Sequence, residues 1–127
     1  MEKPTMKWHA KHFGPSEFRC HCQSPDCDAA QVNLQLVGML DRARAHAGIP
    51  FVITSGVRCP RHNGFVGGSP SSSHLSGLAV DIRATSGQDR MLVVRGLLEA
   101  GFRRIGIARG FVHADLDSAK MASLWTY

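Results

Sequence analysis

The chain has 127 residues, 43% hydrophobic and 20% charged, with a formal net charge of +5 and a pI of about 9.4. These totals exclude a disordered chain, and no apolar run approaches the ~20 residues of a membrane span. They predict one domain over residues 1–127 with a modest core.

The basic excess favours an anionic partner, such as nucleic acid, an anionic membrane or a bacterial wall polymer. The lysines and arginines are dispersed, however. Arg42 with Arg44, and Arg103 with Arg104, come nearest to clusters. Charge alone therefore argues for a solvated basic surface and against a nucleic-acid interface.

Residues 1–30 read as an irregular N-terminal segment. The opening stretch Met1–His9 carries no apolar leader, which predicts synthesis in the cytoplasm without an export signal. Leu36, Met39, Leu40, Ala43 and Ala47 fall at helical spacing, so the periodicity predicts a helix over 31–47, ended by Gly48 and Pro50. Phe51–Ser55 reads as a short strand. Residues 59–76, with Asn63-Gly64, Gly67-Gly68, Pro70 and a serine run, read as a long functional loop. Leu78–Ile82 is a second strand. Ser86 with Asp89 predicts a capped helix running to about Ala100, ended by Gly101. Residues 104–108 and 111–115 then form a hairpin turning at Arg109-Gly110. This order predicts an α+β domain: a small, mostly antiparallel sheet with helices packed on one side.

His74, Asp81 and His113 are the candidate metal ligands. Two imidazoles and one carboxylate leave a tetrahedral zinc with one free position, which a catalytic zinc keeps for water. Cys20, Cys22 and Cys27, with Cys59, suit a structural zinc held by four thiolates, although the Cys-x-Cys spacing is tighter than usual. Free buried thiols are the other reading, as are disulfides formed after release from a reducing compartment.

The run Ser72-x-His74-x-x-Gly77-x-Ala79-x-Asp81, with the later Phe111-Val112-His113-x-Asp115, resembles the zinc peptidases of the M15 family. Other elements agree: His12-Phe13, Glu17-Phe18, Ser55-Gly56-Val57-Arg58, Asn63 with Val66-Gly67-Gly68, and Leu124-Trp125. The family includes D-alanyl-D-alanine carboxypeptidases, dipeptidases and phage endolysins that cut peptidoglycan stem peptides. The resemblance implies the fold shared with the hedgehog signalling domain, and zinc on His74, Asp81 and His113. It also implies that Arg58 binds substrate near the scissile bond and stabilises the oxyanion, a task that suits a permanently charged, forked guanidinium.

Many family members carry a glutamate base three residues before the last zinc ligand, where this chain has Gly110. Asp115 is the substitute. It lies two residues after His113, so on a strand the two side chains share a face. Two roles fit it: general base, or hydrogen-bond acceptor that fixes a ligand imidazole. Asp117 and His62 read as surface residues.

The expected function is a zinc-dependent hydrolase acting on D-amino-acid-containing peptides or cross-links of peptidoglycan. It would act on the cell wall after release, as a phage or prophage lysin does. The leading alternative is a catalytically weak zinc-containing module that binds the wall. A nucleic-acid binder is supported by charge alone.

Overall fold

A computed structural model describes residues 8–127. Met1–Lys7, and with them most of the stretch read as lacking a leader, lie outside the described residues. The sheet has five strands: β1 (Ile53–Ser55), β2 (Ala79–Arg83), β3 (Arg104–Ile107), β4 (Phe111–Asp115) and β5 (Ser123–Thr126). Their order is β1-β2-β4-β3-β5, antiparallel except for the β3–β5 pair, which is parallel. The helices are α1 (Leu34–Ala47), α2 (Pro60–Phe65) and α3 (Gly87–Glu99). This is the α+β architecture that the pattern predicts, with one strand more.

Strand alternation divides the residues of β2, β3 and β4 between two faces. Val80, Ile82, Ile105, Val112 and Ala114 turn to one side. There they form a single core with Leu36, Leu40 and Ala43 of α1 and Val93 and Leu97 of α3. The two helices approach closely because Gly96 has no side chain: a Cβ there would lie 2.3 Å from the Ala43 carbonyl oxygen. Ala79, Asp81, Arg104, Gly106, Phe111, His113 and Asp115 occupy the opposite face. β2 is buried on both faces over Ala79–Ile82, so something also covers this second side.

Three boundaries differ from the sequence expectation. Helix α1 begins at Leu34, not at residue 31, because the Asn33 side chain accepts the Leu36 amide at 3.0 Å and caps the helix there. The residues before it are held extended, with the Asn33 amide donating to the Gly77 carbonyl at 2.9 Å. The expected loop 59–76 contains two helical pieces. Pro60 reads as a breaker but sits in the first turn of α2, where its missing N–H costs nothing. Ser73–Ser76 forms a 3-10 turn capped by Ser72 and closed by Gly77, which takes the left-handed conformation at φ 74°. The third difference is β5, where the alternation is too short to stand out from a turn-rich ending. Among the described residues no helix is long and apolar enough to cross a membrane.

Candidate metal centre

Strand register brings the central residues together. Ser55 pairs with Asp81, Asp81 with His113, His113 with Gly106, and Gly106 with Trp125. These five form one line across the sheet, on the face away from α1 and α3. His74 reaches the line from the 3-10 turn that precedes β2. All three candidate ligands are buried, at 3%, 7% and 7% exposure for His74, Asp81 and His113.

The hydrogen bonds fix which nitrogen of each imidazole faces the cluster. His74 Nδ1 lies 2.7 Å from the Gly56 carbonyl, which can only accept, so Nδ1 carries the proton. Its Nε2 lies 3.3 Å from Asp81 Oδ1. His113 Nε2 donates to Asp115 Oδ2 at 2.7 Å, leaving Nδ1 at 3.0 Å from the same Asp81 oxygen. With neutral rings, two nitrogen lone pairs and one carboxylate oxygen converge with no proton among them. Such a set of donors could hold a cation.

The distances suit zinc. Ligands about 2.0–2.1 Å from a tetrahedral zinc are ~3.3 Å from one another. One donor atom from each of His74, Asp81 and His113 lies within 4.8 Å of the others, and the two imidazole–Asp81 pairs are at 3.0 and 3.3 Å. Without an ion, protons on the imidazoles fill the same contacts. Burial opposes the Asp81 charge, yet His113 and His74 together hold its carboxyl down at about 2. Burial likewise opposes a charged His113, but Asp115 and Asp81 outweigh it and raise its pKa.

Arg58 stands beside the cluster. Its Nη2 is 3.5 Å from Asp81 Oδ2, its Nε donates to Ser55 Oγ at 3.1 Å, and Nη1 donates to Asn63 Oδ1 at 3.3 Å. The guanidinium thus occupies the second oxygen of Asp81 and leaves Oδ1 to the imidazoles. Asn63 is itself buried, with its side-chain amide on the Ser69 carbonyl at 2.9 Å. The segment 59–76 therefore acts as a bracket for Arg58 as well as the source of His74.

Asp115 lies behind His113, on the far side of the ring from Asp81. It is 1% exposed. Its Oδ1 accepts from Arg104 Nε at 2.8 Å and from the Asp117 amide at 3.0 Å. Burial would raise its pKa, but His113, the Asp117 amide and Arg104 lower it below the usual carboxylate range. Of the two roles that the sequence left open, this geometry suits the acceptor that fixes an imidazole. A base that must reach a reacting water needs access that this carboxylate lacks. Asp117, expected as a solvated turn residue, instead accepts from Ser73 Oγ at 2.7 Å, next to His74 in the chain. His62 lies in α2, where its ring stacks on exposed Phe65 at 6.4 Å.

Trp125 completes the line across the sheet. Its ring centroid is 5.4 Å from that of His113, and the Arg104 guanidinium lies 4.9 Å over it. Tyr127 continues the aromatic edge, 5.2 Å from Phe111. Sequence reading assigns Trp125 no individual role, because its place at the site depends on a pairing of β5 with β3 that no local pattern reveals. A fainter signal existed in Gly106, a glycine inside an otherwise good strand.

A sheet face that carries His113 and Asp81, with His74 reaching in from the adjoining turn and an arginine alongside, offers a donor set that a metal-dependent hydrolase could use. Comparison with known families then assigns the lineage: the family described as peptidase M15 matches residues 11–115, and the chain belongs to it. A comparison with curated proteins returned no match.

Gly106 generates a direct prediction. A Cβ there would lie 2.5 Å from the Trp125 indole. Gly106→Ala should destabilise the fold by ~1–3 kcal/mol in denaturant unfolding, as overpacking does. Adding Trp125→Ala should recover part of that loss, so that the two changes are not additive. Strict additivity would mean that the indole does not occupy the slot.

Proposed function

We propose that the protein is a zinc-dependent peptidase that cleaves peptide bonds in the D-amino-acid-containing stem peptides or cross-links of peptidoglycan. The reading rests on membership of the M15 peptidases and on one observation above the rest, the convergence of His74 Nε2, His113 Nδ1 and Asp81 Oδ1. Zinc bound there would supply an activated water and polarise the scissile carbonyl.

The chain's own residues account for the remaining work. Gly56 and Asp115 hold the two imidazoles in the tautomers that keep lone pairs on the cluster. Arg58, its side chain 15% exposed, can fork onto a substrate carboxylate or a developing oxyanion. Trp125 walls one side and limits solvent there. The net charge of +5 favours association with an anionic wall polymer. In this reading the protein acts on the cell wall after release from the cytoplasm, as a phage or prophage lysin does.

A second reading is a zinc-containing wall-binding module with weak or no turnover. Gly110 at the usual base position and the burial of Asp115 favour it. Muropeptide digestion separates the two. The peptidase reading predicts new product masses from purified peptidoglycan, abolished by a chelator and by His74→Ala, which also removes one zinc per chain. Binding to the wall without new products supports the module.

Asp115→Asn should lower zinc affinity about 10–100-fold, as loss of a ligand's hydrogen-bond partner does. Turnover at saturating zinc should change less. Normal affinity with turnover lost would make Asp115 the base. Arg58→Ala should leave the zinc content unchanged and slow turnover ~10²–10³-fold, in the range for a removed oxyanion donor. An undiminished rate would remove Arg58 from the reaction.

A further inference from the structure

We propose that Cys20, Cys22, Cys27 and Cys59 bind a second zinc ion, a structural one, which fastens the N-terminal segment to the backbone that carries Arg58. The proposal is independent of which bond the protein cleaves and of whether it cleaves any.

The four sulfurs converge from distant parts of the chain. All their Sγ atoms lie within 4.8 Å of one another, and none is in a disulfide. Zinc–sulfur bonds of about 2.3 Å place tetrahedral sulfurs ~3.8 Å apart, so this cluster needs little adjustment to close on an ion. Backbone amides already point at the sulfurs. The Cys59 amide donates to Cys20 Sγ at 3.4 Å, the His62 amide to Cys59 Sγ at 3.4 Å, and the Ser24 amide to Cys22 Sγ at 3.5 Å. Such donors offset thiolate charge and orient it, as partners of metal ligands do.

The local fold also needs a cross-link. Among the described residues, 19–33 contain no helix or strand. A cavity of about 1310 Å³ lies between this segment and the start of α1, lined in part by Phe18, Cys22, Val32 and Gln35. The apolar cluster here is small: Cys20, Val57 and Cys59, with Cys22, Ala29 and Val32 against them. So little burial cannot offset the entropy of ordering such a stretch, whereas a thiolate-bound zinc contributes folding free energy directly.

The consequence reaches the reactive side of the molecule. Cys59 follows Arg58 and caps α2, the helix that holds Asn63 against the guanidinium. The Val57 amide donates to the Phe18 carbonyl at 2.9 Å, and the Arg58 amide to the His74 carbonyl at 3.0 Å. The four thiolates therefore anchor the same stretch of backbone from its outer side. Losing the ion should loosen Arg58 first, while Asp81 and His113, paired between β2 and β4, stay in place.

Elemental analysis of the purified protein tests this. Two zinc ions per chain are expected, falling to one in the double variant Cys22→Ser, Cys27→Ser and to one in His74→Ala. Replacement of zinc by cobalt should give thiolate-to-cobalt charge-transfer absorption in the wild type and in His74→Ala, and none in the double cysteine variant. Limited proteolysis should cut the double variant within residues 19–33 faster than the wild type. If the double variant does not fold, the cobalt spectrum of the wild type decides alone. A single zinc per chain with four freely reactive thiols, cysteines paired as disulfides in the purified protein, or a cobalt spectrum without sulfur ligation would each overturn the proposal.

Discussion

The pairing of Asp81 on β2 with His113 on β4 is the constraint around which the rest of the sheet is arranged. A slip of one residue in either strand would turn that strand's polar side chain into the core and send its apolar pair, Val80 with Ile82 or Val112 with Ala114, outward. The hydrophobic pattern of the two strands therefore fixes the polar cluster as firmly as it fixes the core. The cluster in turn leaves a carboxylate and two imidazoles out of water, which is tolerable because each has partners: Arg58 and the imidazoles on Asp81, Gly56 on His74, Asp115 on His113. Among the described residues no buried side-chain nitrogen or oxygen is left without a hydrogen-bond partner.

Polar order extends one layer further. Asp115 binds His113, Arg104 binds Asp115, and Arg104 lies against Trp125, whose ring packs on His113. The loop of contacts closes on itself across three strands. Breaking such a buried pair by removing one partner is far more disruptive than its net worth suggests, since it strands the other charge. A network of this kind holds the imidazole to one orientation, the property a metal ligand most needs.

Much of this was legible in the sequence, and the parts that were not have physical reasons. His74, Asp81 and His113 stand in a motif with tightly specified neighbours, and Gly77 and Ala79 are small where the turn and strand pack closely. The cap at Ser86 and the end at Gly101 were readable because capping is local. Helix α2 was hidden by Pro60 and Gly64, residues that usually break a helix but here open it and sit within it. The role of Asp115 was ambiguous because two-residue spacing gives the face of a strand and not which side of a neighbouring ring a carboxylate meets. Leu124-Trp125 belongs to the family resemblance, but the strand β5 and the place of Trp125 beside His113 were not readable locally, since parallel pairing with β3 is a long-range event.

The slot at Gly106 has a further meaning for descent. An indole can lie over that strand only while the residue beneath it has no side chain. Neither position is free to drift alone: a larger residue at 106 ejects the ring, and a smaller one at 125 leaves bare backbone beside an imidazole. Homologues should therefore inherit the two as a unit, or have exchanged both together for a different way of closing that flank.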